Sequence, residues 1–234
     1  MDTCEAPWAF STVSTAFRQI NIREGYPYRK LRVMERGAGL NIMGTSIMNA
    51  LFARGSGEYH IVELNRGIIR ETKKWIDEMN ETIEDNKFRY GTKCDIQIFL
   101  HEGDAREVTK KLIINDKKRF DIIFSDTYPL DDSETGVNDL TDLDIIKKGL
   151  RRRVNDRVKY GIFAFFPYHP GSADTTSDGF ITTNQSVILT PHFEDRISTY
   201  ADVKPSEGYR YLFNPNGEPV RKLPVVICSE KGLV

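Results

Sequence analysis

The sequence predicts an α/β fold: a Rossmann-like, mostly parallel seven-stranded sheet with helices on both faces and an antiparallel C-terminal finish. Three observations predict it. Short apolar runs alternate with charged, helically periodic segments from residue 30 to residue 166, the order that builds a parallel sheet covered on both sides. Glycines or acidic residues stand where the apolar runs end. After residue 167 the alternation stops, and the runs at 192–202, 209–213 and 223–228 are joined by Pro/Gly-rich turns.

Residues 30–35 (KLRVME) form a first strand leading into Arg36-Gly37-Ala38-Gly39, with a helix expected over 41–54. The second strand is 58–63 (EYHIVE). The helix over 66–80 carries Ile68, Ile69, Trp75, Ile76 and Met79 at roughly helical spacing. A polar insert, 81–93, precedes a third strand at 95–100 and a helix at 105–114. The fourth strand, 120–124 (FDIIF), is closed by Ser125-Asp126. A helix at 140–152 and a fifth strand at 161–166 complete the alternation. No repeat, low-complexity tract or interdomain linker interrupts this order.

The chain has 234 residues, 33 Lys+Arg against 34 Asp+Glu and a formal net charge of −1. That length suits one large domain with an ample core. Near-neutrality offers no global attraction to nucleic acid or an anionic membrane. Cys4, Cys94 and Cys228 are odd in number and far apart, which argues against a disulfide framework or a zinc site and fits a reducing, cytoplasmic compartment. No apolar run approaches a membrane span, and Asp2 and Glu5 do not read as part of a signal peptide.

Ligands of an open parallel sheet bind beyond the carboxyl ends of its strands. Gly37 and Gly39 end the first strand, where missing side chains let backbone approach a ligand. Glu63 ends the second strand 24 residues after Gly39, the usual place for a carboxylate that holds ribose hydroxyls. Gly103-Asp104 follows the third strand and can present a carboxylate and amides to an adenine. A nicotinamide dinucleotide would require G-x-G-x-x-G, but Ile42 occupies the third glycine position and the next glycine is Gly44. Glu35, two places before Gly37, would repel a pyrophosphate and attract a sulfonium or ammonium. The residues favour S-adenosylmethionine over a dinucleotide.

Asp126 ends the fourth strand in Ser125-Asp126-Thr127-Tyr128-Pro129-Leu130, where a carboxylate can orient or deprotonate an attacking nitrogen or oxygen. The order Asp-Thr-Tyr-Pro differs from the Asn/Asp-Pro-Pro-Tyr pattern of enzymes that methylate base amino groups. The one basic cluster, Arg151-Arg152-Arg153, closes an expected helix, as its dipole favours. Nucleic acid is therefore not the expected substrate. No His/Cys/Asp/Glu cluster has ligand spacing, so no metal is implied.

From about Leu31 onward the chain resembles guanidinoacetate N-methyltransferase, a class I S-adenosylmethionine-dependent family. The resemblance rests on 33–39 (VMERGAG), 61–65 (IVELN), Gly103-Asp104 and above all 120–123 with Asp126-Thr127-Tyr128-Pro129-Leu130, with a weaker echo at 209–213 (YRYLF). It implies that Glu35, Gly37, Gly39, Glu63, Asn65, Gly103 and Asp104 line the cofactor pocket and that Asp126, touching both cofactor and acceptor, acts with Tyr128. The family's Glu-x-Pro-aromatic segment has its counterpart in Glu5-Ala6-Pro7-Trp8, which implies that Glu5 helps grip a guanidinium and that Trp8 lines the acceptor site.

The fifth strand instead leads into an aromatic stretch, 165–171 (FFPYHPG). An aromatic acid or phenol could use Phe166 and Tyr168 as walls, with Arg36, His169, His192 or Arg210 supplying positive charge. The expected activity is thus methyl transfer to N or O of a small molecule, guanidino or amino by resemblance. O-methylation of an aromatic acid or phenol is the alternative. A nicotinamide oxidoreductase or a non-catalytic Rossmann-like interaction domain stands further off. Residues 1–30 are expected to cover the site and 31–234 to form the domain. So short an N-terminal segment also suggests a homodimer in which the partner's segment helps to close it.

Overall fold

The computed structural model describes residues 6–24, 30–90, 94–127, 142–151, 161–165, 193–202 and 222–230. Five strands run parallel: β1 (Leu31–Arg36), β2 (Ser56–Glu63), β3 (Asp95–Glu102), β4 (Ile122–Ser125) and β5 (Ile162–Phe165). Their spatial order is β3-β2-β1-β4-β5. The order reverses between β1 and β4, so the crevice outside the ends of these two strands is the topological switch point. β6 (Phe193–Asp202) and β7 (Lys222–Glu230) pair antiparallel, and β7 meets β5 with Phe163 opposite Cys228 and Ala164 opposite Ile227.

Side-chain alternation divides the core into two layers. Leu31, Val33, Ile122, Phe124, Ile162 and Ala164 pack with α1 (Ala6–Glu24), α2 (Ile42–Arg54) and α3 (Arg66–Tyr90). Met34, Ile123, Phe163 and Phe165 turn to the opposite face, towards α4 (Ala105–Lys110) and α5 (Leu143–Gly149). β1 and β4 are buried on both sides, which explains their near-continuous apolar character.

Several boundaries differ from expectation. The insert at 81–93 is helical as far as Tyr90, because Ile83 continues the buried stripe of Ile69 and Thr72, and no Gly or Pro breaks the turns. The helix after β3 stops at Lys110 and widens into a π turn, Lys111–Asn115, closed by Asp116 N donating to Lys111 O (3.0 Å). That turn buries Leu112 and Ile113 together, with Ile113 lying where a Cβ on Gly149 would stand, 2.2 Å from its Cδ1. α5 ends at Gly149, not at residue 152, because Leu150 is extended and bridges to Phe120. Arg151 therefore does not close a helix: its Nε lies 3.6 Å from Asp121 Oδ1 and its Nη2 reaches Arg119 O.

The N-terminal stretch is a full helix, α1, which the sequence pattern did not announce. Trp8, Ala9, Val13, Ala16, Phe17 and Ile20 are buried in the core, so this helix is a core element. The expected strand at 209–213 lies outside the described residues.

Candidate functional site

The loops after β1 and β4 meet at the switch point. Asp126 N donates to Arg36 O (2.9 Å), continuing the ladder beyond β4, and Gly37 N donates to Val62 O (2.9 Å). Gly37 has φ +89°, and a Cβ there would lie 2.4 Å from Asp126 O. Only glycine allows the two loops to touch. Gly39 (φ 51°) and Asn41 (φ 56°) are also left-handed, turning the chain sharply into α2. Asn41 is buried, and its Oδ1 accepts from Thr72 Oγ1 (3.2 Å), tying this turn to α3.

Carboxylates gather around the turn. Glu63 Oε2 accepts from Ala38 N (2.9 Å) and its Oε1 from Leu64 N and Asn65 N (both 2.8 Å). Glu63 thus braces the glycine turn and keeps free lone-pair capacity on Oε2 for a hydroxyl donor. Asn65 Oδ1 accepts from Gly67 N (2.8 Å) and Ile68 N (3.2 Å), capping α3 and leaving its amide hydrogens available. Gly103 (φ +143°) donates its N–H to Glu63 O (2.9 Å). Asp104 caps α4, its Oδ1 accepting from Arg106 N (2.9 Å) and Glu107 N (3.1 Å), so Oδ2 remains free to accept from an amino group.

Glu35 is the most deeply placed of these acids, 1 % exposed, and its Oε2 accepts a hydrogen bond from the buried Tyr59 hydroxyl. Burial first, and then the negative charges of Asp126 and Glu63, push its carboxyl up to about 8, although the Tyr59 bond pulls the other way. Burial likewise raises Asp126. Among the described residues no Lys or Arg pairs with Glu35, Glu63 or Asp126.

The expected site residues separate into three groups. Glu35, Gly37, Gly39, Glu63, Asn65, Gly103, Asp104 and Asp126 lie at or just beyond the ends of β1 to β4. Arg36 and Trp8 are elsewhere. Arg36 follows Glu35 in the strand alternation and turns to the other face of the sheet. It is fully buried there, its Nη2 3.1 and 3.0 Å from the two oxygens of Asp142. Trp8 is a fully buried core side chain of α1. Glu5, Tyr128, Phe166, Tyr168, His169, His192 and Arg210 lie outside the described residues.

Three contributors went unnoticed in the sequence. Tyr59 stands on the face that carries Glu35, diagonal to it across the β1–β2 register. Gly44 supplies the close helix–strand packing that Ile42 cannot: a Cβ there would lie 2.9 Å from Tyr59 Oη, 3.3 Å from Trp75 and 3.6 Å from Glu35 Oε2. Asp142 is the partner of Arg36. A tyrosine on the inward face of the second strand and the glycine next after the doublet were the available signals for the first two.

This donor set suits an adenosyl ligand bearing positive charge. It offers a lone pair for ribose at Glu63 and a carboxylate oxygen for an exocyclic amine at Asp104. It also offers a cation the acidity of Glu35 and Asp126, which pair with no Lys or Arg among the described residues. A pyrophosphate would meet the same acidity without the help of Arg36, which is already bound to Asp142. Among the described residues no cluster of three or more His, Cys, Asp or Glu has metal-site geometry, and no helix is long and apolar enough to cross a membrane.

No protein-family model matches the sequence, and no curated protein matches it either. Solved structures do match. An O-methyltransferase from Bacillus cereus in complex with SAH superposes with a TM-score of 0.51 at 10 % identity, over 99 % of this chain and 82 % of that one. The TDP-rhamnose 3'-O-methyltransferase CalS11, an enzyme in calicheamicin biosynthesis, gives 0.52 at 14 % identity, over 96 % and 79 %. The chain has the Rossmann-like methyltransferase fold.

Proposed function

We propose that this protein is a class I S-adenosylmethionine-dependent methyltransferase acting on a small-molecule acceptor, guanidino or amino in type, with the seven-stranded sheet of that class. The observation that carries the reading is the gathering of Glu35, Glu63 and Asp126 about the Gly37 turn at the switch point, with no Lys or Arg side chain paired to them among the described residues. The cofactor supplies an electrophilic methyl on a positively charged sulfur. The chain's own residues bind and orient. Glu63 and Asn65 hold the ribose, Asp104 with Gly103 holds the adenine, and the Gly37–Gly39 turn gives backbone close access. Asp126, at the end of β4, orients the attacking nitrogen and takes its proton, with Tyr128 shaping the pocket and Glu5 as a second anion. Phe166, Tyr168, His169 and Arg210 are the remaining acceptor candidates, Trp8 being taken up by the core. The Arg36–Asp142 pair favours a cationic acceptor, since it removes one of the cations that an aromatic acid would need.

Asp126→Asn tests the acceptor role. In assays with labelled S-adenosylmethionine it is expected to lower turnover of a guanidino or amino acceptor by roughly 10²–10⁴-fold. S-adenosylhomocysteine affinity should change far less. Wild-type turnover in that variant would remove Asp126 from the chemistry.

Glu35 makes cofactor binding proton-linked. Its folded-state value of about 8 lies above the ordinary 4.5, so it carries a proton across that window in the free protein. A bound cation favours the ionised form, so binding releases a proton, and affinity rises with pH by at most about tenfold per unit until about pH 8. The same shift means that Glu35's contribution to the free protein's stability is complete below about 4.5 and is lost as pH rises through about 8. Calorimetry in buffers of different ionisation enthalpy should count this proton, and Glu35→Gln should abolish its release.

A further inference from the structure

The face of the sheet opposite Glu35 carries a second assembly that plays no part in the site above. Between Lys110 and Arg119 the chain has five cations and one acid, Asp116. The stretch does not read as a basic run because Leu112, Ile113 and Ile114 interrupt it. The structure removes that interruption. Leu112 and Ile113 turn into the core at the π turn, the chain reverses at Lys117 (φ 53°), and Lys118 N bonds back to Leu112 O (2.9 Å). Lys110, Lys111 and Lys117 are exposed, and none of them, nor Lys118, has an ion-pair partner among the described residues. Helix dipoles account for Lys110 but not for the lysines beyond the turn.

An aromatic ring lies beneath one of these charges. Lys118 Nζ stands 5.3 Å from the centroid of Phe99. Phe99 stacks on His60 (4.7 Å, 20°), and His60 stacks on His101 (5.2 Å, 3°), with His60 Nδ1 2.9 Å from His101 Nε2. Phe99 is 36 % exposed on the edge strand β3, and His101 is half-buried. Burial, and then Lys118 and Lys111, hold the His101 ring below its ordinary value, so it stays a neutral ring among cations. The Phe99 ring stacks on His60 and lies under Lys118 Nζ, so its exposed edge is what this surface offers a base, while the lysines without a partner among the described residues can follow a phosphodiester backbone. A bilayer would need several protruding aliphatic side chains, and this surface offers Ile114.

We propose that the surface formed by Lys110, Lys111, Lys117 and Lys118 around the Phe99 edge of β3 binds single-stranded nucleic acid, apart from the candidate methyl-transfer cleft. The test is fluorescence anisotropy of the full chain with a labelled single-stranded oligouridylate across a salt series. Replacing Lys111, Lys117 and Lys118 together with Gln should weaken binding roughly tenfold or more and flatten the log–log salt slope by about 0.7 per lysine. Phe99→Ala should weaken it by roughly fivefold or more with an unchanged slope. A duplex of the same length should bind less tightly, because its bases are already stacked. S-adenosylhomocysteine affinity, measured in parallel, should be unaltered in the triple lysine variant, which confirms an intact fold. Three results would each overturn the proposal: no oligonucleotide binding by the wild type, equal binding by wild type and triple variant, or binding only to phosphatidylserine vesicles.

Discussion

Gly37→Ala is expected to abolish detectable S-adenosylhomocysteine binding and to destabilise the fold by about 3 kcal/mol. Two independent effects act at that position. A side chain at φ +89° is strained, at about 1–2 kcal/mol for the left-handed region. The added Cβ would also lie 2.4 Å from the carbonyl oxygen and 3.1 Å from the carbonyl carbon of Asp126. Those are backbone atoms, held by the bond from Asp126 N to Arg36 O, and cannot swing aside as a side-chain tip does. The loops must separate, which moves Asp126 away from the turn that Glu63 braces. A displacement of about 1 Å in such a constellation costs roughly a hundredfold in function. Urea unfolding and calorimetry on the variant measure the two effects separately. Wild-type affinity would mean that the turn does not contact the ligand.

The second large effect concerns stability alone. Asp142→Ala should cost about 3–5 kcal/mol, because it strands a buried guanidinium. Arg36 is fully enclosed, and its Nε and Nη1 have no hydrogen-bond partner among the described residues, so the two contacts of Nη2 with Asp142 carry its compensation. Combining Arg36→Met with Asp142→Leu should recover most of the loss, since buried ion pairs and apolar replacements of similar volume are often nearly equal. Urea denaturation of the single and double variants at neutral pH is the measurement. A single variant within about 0.5 kcal/mol of wild type would show that Arg36 reaches water without its partner.

These two positions also show what the sequence could and could not reveal. Gly37, Glu35, Glu63, Asp104 and Asp126 were legible because each follows a recognisable apolar run, and a parallel sheet brings all strand ends to one edge. That logic needs no distances. Arg36 and Asp142 are 106 residues apart, and their pairing depends on where α5 begins. Strand alternation alone does place Arg36 on the face opposite Glu35, and that signal was available. Tyr59 meets Glu35 only in the observed β1–β2 register. α1 escaped notice because its buried stripe includes Thr12 and Thr15, polar letters that blur the apolar periodicity. The lysine surface was hidden for the converse reason: apolar residues that the π turn buries stand between the lysines in the chain.

Calorimetric titration of the intact protein with S-adenosylhomocysteine and, in parallel, with NAD tests the central claim most directly. The gathering of Glu35, Glu63 and Asp126 at the switch point predicts saturable binding of S-adenosylhomocysteine and no heat from NAD. Binding of NAD alone, or of neither ligand, would contradict it.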